Sequence, residues 1–196
     1  MARTVEFFFD VGSPAAYLAW TQLPSMCSSA GAAIDYKPML LGGVFQATGN
    51  QSPMAVPAKG KYMQGDLERH AARYGVPYRH NPHFPINTLT LMRGATAVQM
   101  HQPGRFPDYV DAVYRAIWVD QKNMNDPQVV AGVLQQAGFD PAALLAQASE
   151  PQVKDRLKAV TQDAVERGVF GAPTFFIGGQ MFWGQDRLEF VKEALE

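Results

Sequence analysis

The stretch Phe7-Phe8-Phe9-Asp10-Val11-Gly12-Ser13-Pro14 decides the fold. Residues Thr4 to Phe9 are short, aromatic and closed by Asp10-Val11-Gly12, which is the pattern of a buried strand. Ser13-Pro14 then has the form of a helix N-cap followed by proline at the first helical position. Ala15 to about Ser29 continues as a helix that carries Tyr17, Leu18 and Leu23. Pro24 is predicted to kink or break it, and Gly31 to stop it. Ala33 to Pro38 reads as a second strand. Strand, helix, strand is a β-α-β unit with parallel strands.

The far end of the chain returns to strands. Gly171-Ala172-Pro173-Thr174-Phe175-Phe176 is a turn and a proline entering an aromatic, β-branched run that lasts to Ile177. Gly178-Gly179 is a hairpin dipeptide, so Gln180 to Trp183 pairs back antiparallel. Gly184-Gln185-Asp186 then opens a last helix, Arg187 to Leu195. Between these two ends no strand signal appears. Leu41 to Gly60, rich in Gly, Pro, Ser and Asn, reads as a long loop. Helices follow over Tyr62 to Tyr74, Ile86 to His101 and Phe106 to Gln121. Asp126-Pro127 and Asp140-Pro141 each open another helix as N-cap plus proline, and Pro151 to about Arg167 is one more. This layout is an α/β thioredoxin-like fold with a large all-helical insertion. Residues 1–40 and 168–196 form the thioredoxin-like part, residues 41–167 the insertion, and one core runs through both.

Composition narrows the function classes. The 196 residues are 47% hydrophobic and 18% charged, enough apolar material for a core without metal or disulfide support. A formal net charge of −1 gives no electrostatic case for nucleic acid or an anionic membrane. No apolar run is long enough to span a bilayer, and no signal peptide is visible. Cys27 is the only cysteine. It cannot form an internal disulfide and reads as a small buried hydrophobe, which together predict a cytosolic protein.

Ser13 stands where a redox protein of this fold would carry the first cysteine of Cys-x-x-Cys, and Ala16 stands at the second. Any sulfur in the chemistry must therefore arrive with a cofactor. A helix start favours an anion, a thiolate held there has a lowered pKa, and a serine hydroxyl can donate it a hydrogen bond. The cap role and the thiolate role are compatible. Ser13 as nucleophile is disfavoured. None of the four histidines pairs evidently with it, and the Gly-x-Ser-x-Gly elbow is missing. Pro173 suits a cis bond that turns the amide and carbonyl of Ala172 outward, where a peptide-like ligand could pair as an added strand. The residues alone lean toward a trans proline at a strand start. Asp186 is by default an N-cap. With Asn50, Lys59 and Gln185 it also makes a polar set suited to a ligand with a carboxylate for Lys59 and an ammonium for Asp186. His80-x-x-His83 has no nearby cysteine or acid and reads as a solvated loop, so no metal site is expected. No phosphate loop or dinucleotide fingerprint is present.

The chain resembles the 2-hydroxychromene-2-carboxylate isomerases, in the DsbA-like branch of the thioredoxin superfamily and close to the kappa-class glutathione transferases. The resemblance runs end to end. It rests on Phe9-Asp10-Val11-Gly12-Ser13-Pro14 with Tyr17-Leu18, and on Gly49-Asn50 followed by Pro57-Ala58-Lys59-Gly60 and Tyr62. Phe84-Pro85-Ile86-Asn87-Thr88-Leu89 with Arg93, Gly171 to Phe175, and Phe182-Trp183-Gly184-Gln185-Asp186-Arg187-Leu188 complete it. It implies a bound glutathione, with Ser13 at its sulfur. Ala172, before Pro173, would serve the cysteinyl part, and Asn50, Lys59, Gly184, Gln185 and Asp186 the remainder. It implies a homodimer acting on a small aromatic carboxylate in naphthalene-type catabolism, with Phe84, Asn87 and Arg93 as substrate lining. The implied reaction interconverts 2-hydroxychromene-2-carboxylate and trans-o-hydroxybenzylidenepyruvate. A kappa-type glutathione transferase and a glutathione-binding protein without turnover are the alternatives.

Overall fold

A computed structural model describes residues 3–196. Strand β1 (Thr4–Phe9), helix α1 (Pro14–Ser29) and strand β2 (Ala33–Pro38) form the expected unit, and β1 pairs parallel to β2 from Thr4↔Ala33 to Phe9↔Pro38. Strands β3 (Thr174–Ile177) and β4 (Gln180–Trp183) form the antiparallel hairpin. β3 pairs antiparallel with β1, so the sheet order is β2-β1-β3-β4. The first and last parts of the chain thus meet in the middle of one sheet.

Side chains alternate across a strand, and the three phenylalanines serve both faces. Phe7 and Phe9 pack on the side of α1. There Phe7 stacks on Phe175 at 5.2 Å and Phe9 lies 5.7 Å from Trp20. Phe8 points the other way, into a second cluster with Met39, Val44, Val160, Ala164 and Phe176. Cover on both faces at the end of β1 explains why the polar–apolar alternation of Thr4 to Phe7 gives way to three buried phenylalanines.

The insertion supplies part of that cover, together with α1 and the last helix. It contains α2 (Leu41–Thr48), α3 (Pro57–Tyr74), α4 (Leu89–His101), α5 (Phe106–Trp118), α6 (Pro127–Gln136), α7 (Pro141–Ala148) and α8 (Pro151–Glu166). The chain ends in α9 (Leu188–Leu195). Asp126 and Asp140 cap α6 and α7 through their carboxylates, as their sequence positions predict. Among the described residues no strand lies between Pro38 and Thr174. Among the described residues no single helix is long and apolar enough to cross a membrane.

Three readings need correction. The stretch Leu41 to Gly60 is not one long loop. It holds α2, a 3-10 turn at Pro53–Ala55 and the start of α3 at Pro57. Gly42, Gly43 and Gly49 masked the first helix, which packs Val44 against the sheet and ends on Gly49 in the left-handed region. Burial outweighed propensity there. Helix α1 runs through Pro24, because buried Leu23 and Cys27 on either side hold both halves on the core. Asp186 caps nothing: the last helix begins later, at Leu188, with no side-chain cap.

Arg167, just after α8, ties the insertion back to the sheet. Its guanidinium meets both oxygens of Glu6 at 2.7 and 2.8 Å and lies over the Phe176 ring at 3.9 Å. This forked pair holds the Glu6 carboxyl below its usual value. A lowered carboxylate pKa contributes stability that is present above the unfolded value, here 4.5, and lost as pH falls through the folded one. Arg167→Ala is expected to cost about 1–3 kcal/mol at neutral pH. It should also flatten the fall in stability below that pH, both measured by denaturant titration across pH.

Candidate active site

Asp10 to Ser13 form the turn between β1 and α1, and every residue of it is held. Ser13 is the N-cap of α1, with extended backbone at φ −93° and ψ 115°. Its Oγ accepts the Ala16 N–H at 3.1 Å, and its hydroxyl donates to the Ala172 carbonyl at 3.0 Å. The backbone N–H of Ser13 donates to the Asp10 carbonyl at 3.0 Å. The Val11 carbonyl accepts from Trp118 Nε1 at 2.9 Å, and its N–H meets Met92 Sδ at 3.4 Å. Helices of the insertion therefore grip the turn from outside.

Asp10 is the residue that the sequence reading passed over. It is 1% exposed. Its Oδ1 accepts the Gly12 N–H at 2.9 Å, and its Oδ2 accepts the Leu41 N–H at 2.8 Å and the Thr88 hydroxyl at 3.0 Å. Burial pushes its carboxyl pKa up, while those three donors pull it back. An aspartate three residues before a helix N-cap was the available signal. Its partners are 31 and 78 residues away and could not be read locally.

The Ala172–Pro173 bond is cis, against the trans form that the residues favoured. The trans preference of a proline amide is slight, and contacts on both sides decide it. The Pro173 carbonyl accepts the Gly184 N–H at 3.0 Å, and the Ala172 carbonyl takes the Ser13 hydroxyl. The Ala172 N–H donates to no acceptor among the described residues. Around this corner the structure gathers most of the polar set. Asn50 Nδ2 donates to the Phe170 carbonyl at 2.7 Å. Gly184 has φ +104°, a conformation suited to glycine, and it turns the chain into Gln185. Gln185 is 7% exposed, and its carbonyl accepts the Tyr74 hydroxyl at 3.1 Å. Its side-chain amide makes no hydrogen bond among the described residues. Asp186 lies next in the chain but is spent in part on Arg187, at 2.7 Å.

The remaining residues stand apart. Lys59 lies in the first turn of α3, beside a groove of about 430 Å³ lined by Pro53, Ala58, Tyr62 and Met63. Phe84 packs 6.1 Å from Trp118, the residue that holds Val11. Asn87 is exposed and accepts the Leu89 N–H at 3.2 Å, a local role at the start of α4. Arg93 is partly buried on α4. No hydrogen bond links these three side chains to Ser13.

A serine at a helix start, a cis proline across from it and an unpaired backbone N–H before that proline make a corner that can take a peptide with an anionic group. The DsbA-like thioredoxin domain family matches residues 4–196. The chain belongs to this family. A 2-hydroxychromene-2-carboxylate isomerase from Sphingobium xenophagum is 34% identical over 100% of this chain and 99% of that one. Human glutathione S-transferase kappa 1 is 29% identical over 100% of this chain and 92% of that protein. The solved structure of a 2-hydroxychromene-2-carboxylate isomerase superposes with a TM-score of 0.87 at 30% identity, covering 98% of this chain and 94% of that one. Within the DsbA-like family, the chain stands with the 2-hydroxychromene-2-carboxylate isomerases, close to the kappa-class transferases.

The corner has little slack. A Cβ on Gly171 would lie 2.5 Å from Trp183 Nε1, and the Trp183 ring packs against Phe170, tilted, with centroids 4.9 Å apart. Gly171→Ala is expected to push the Trp183 ring off Phe170. Trp183 is the exposed tryptophan of the three, so collisional quenching of tryptophan fluorescence should rise, with a fall in stability of about 1–3 kcal/mol. Unchanged quenching would mean that the ring is not packed there.

Proposed function

We propose that this protein is a glutathione-dependent isomerase that interconverts 2-hydroxychromene-2-carboxylate and trans-o-hydroxybenzylidenepyruvate. The observation that carries the reading is the Ser13 hydroxyl at the start of α1, 3.0 Å from the carbonyl before a cis proline. The identity with named isomerases along the whole chain supports the choice of reaction.

The polar corner fits glutathione as cofactor. Ala172 offers an N–H without a protein acceptor and a carbonyl with a second lone pair, a strand-like pair of contacts for a cysteinyl unit. Gln185 offers a free amide and Asp186 a negative charge for one end of the tripeptide, and Lys59, on α3 beyond the corner, offers the opposite charge for the far end. Asn50, tied to Phe170, shapes the rim rather than reaching inward through its Nδ2. When bound, glutathione would supply a thiolate able to add reversibly to the enone that forms once the hemiketal C–O bond of the chromene ring opens to a phenol and a ketone; the electron pair would move to the ketone as an enolate, the former double bond would rotate as a single bond, and it would re-form trans as the enolate collapses and the thiolate leaves.

The protein's part is to hold that sulfur ionised and in place. The hydrogen of the Ser13 hydroxyl is directed at the Ala172 carbonyl. A ligand N–H arriving at that carbonyl would let the hydroxyl turn its hydrogen to the sulfur while its oxygen still accepts from Ala16. The Ala15 N–H, which has no acceptor among the described residues, and the positive end of α1 favour an anion at the same spot. Cys27 cannot substitute as the thiol, since it is buried and its pKa is pushed up to about 11.

Ser13→Ala should remain folded, losing about 1 kcal/mol of capping. Its isomerisation barrier should rise by about 2–4 kcal/mol, as for a lost oxyanion donor. The check is an absorbance assay of the hydroxychromene carboxylate with and without added glutathione. Activity that needs no glutathione, or that survives Ser13→Ala, overturns the reading. The kappa-class relatives favour a second activity, conjugation to small electrophiles. Net consumption of thiol during turnover would point to it, and catalytic use of thiol to isomerisation.

A further inference from the structure

Asp10 lies where the amino ends of three helices converge. Gly12, one residue before the Ser13 cap of α1, donates to Oδ1. Leu41, the first residue of α2, donates to Oδ2. Thr88, the residue at the cap position of α4, donates to the same oxygen. Neither α2 nor α4 has a side-chain cap of its own. The Thr88 hydroxyl, which would ordinarily cap its own helix, is turned instead to Asp10. No Lys or Arg lies within ion-pair distance of the Asp10 carboxylate among the described residues, so these donors and the positive ends of the helices are what hold it. The fit around the turn is close. A Cβ on Gly12 would lie 2.8 Å from Thr88 Cγ2 and 3.4 Å from Asp10 Oδ1.

We propose that Asp10 is the positioning residue for Ser13, its carboxylate binding α2 and α4 of the insertion to the β1–α1 turn and thereby fixing where the serine hydroxyl points. The inference rests on the glutathione reading for the role of Ser13. Asp10 itself is buried, at 1% exposure, with its carboxylate turned to protein donors. It acts through Gly12 and through its own carbonyl, which receives the Ser13 N–H. The insertion is then part of the catalytic apparatus. Two of its helices are anchored to the turn by one carboxylate, and displacement of a catalytic group by about 1 Å can cost roughly a hundredfold in rate.

The test compares Thr88→Val, Thr88→Ser and Asp10→Asn by kcat per folded molecule and KM for glutathione in the hydroxychromene carboxylate assay, with glutathione binding followed by calorimetry. Valine keeps the volume of Thr88 and loses the donor, whereas serine keeps the donor and loses the methyl. Positioning predicts a kcat roughly tenfold or more lower for Thr88→Val, with KM for glutathione little changed and most of the turnover recovered in Thr88→Ser. A packing role predicts the reverse order, serine worse than valine, and that order would overturn the proposal. Asp10→Asn places an NH₂ against the Leu41 N–H and should lose more turnover than Thr88→Val. If it fails to fold, the threonine pair still decides the question. Wild-type protein that does not bind glutathione removes the underlying reading and this one with it. Wild-type protein that binds, while Thr88→Val matches its kcat, removes this inference alone.

Discussion

A carboxylate taken out of water must find donors, and in this chain that requirement organises the molecule. Asp10 sits at the end of the central strand with 1% exposure. Its donors come from the turn beside it, from α2 and from the cap position of α4. Those contacts join the sheet to a helical block far away in sequence. Trp118 and Met92 add two further grips on Val11. On the Phe8 face of the sheet Arg167 does similar work, forking onto Glu6 and covering Phe176. The insertion is thus bolted to the frame by polar contacts at the turn and at Glu6, and by packing between them.

The frame was legible because its signals are local. The apolar run of β1, the Ser13-Pro14 start, the Gly178-Gly179 hairpin and the Asp-Pro openings of α6 and α7 all depend on neighbours in sequence. What was lost depends on partners far away. Helix α2 hides behind three glycines, and what holds it is tertiary: Val44 buried in the Phe8 cluster, and the Leu40 and Leu41 N–H groups bound to Thr161 and Asp10. The cis bond at Pro173 is set by Gly184 and Ser13, which lie 11 and 160 residues from it. Asp186 looked like a cap, yet it is engaged with Arg187 before the last helix begins.

The same distinction holds at the site. Ser13 and Ala172 were readable from the two motifs, and they are joined by one hydrogen bond. The chemical role of Asp10 was not readable, since an aspartate before a turn has many ordinary uses. Its significance lies in which helices it meets. Phe84 belongs to the packing beneath Trp118, and Asn87 to the start of α4, so both bear on the site through the turn that these helices support.

The central claim is that the reactive sulfur is borrowed and parked where α1 begins. A crystal structure with glutathione bound tests it most directly. The account predicts the sulfur within hydrogen-bond distance of Ser13 Oγ and the cysteinyl backbone paired with Ala172. Density that seats the tripeptide elsewhere, or orients its sulfur away from residue 13, would contradict it.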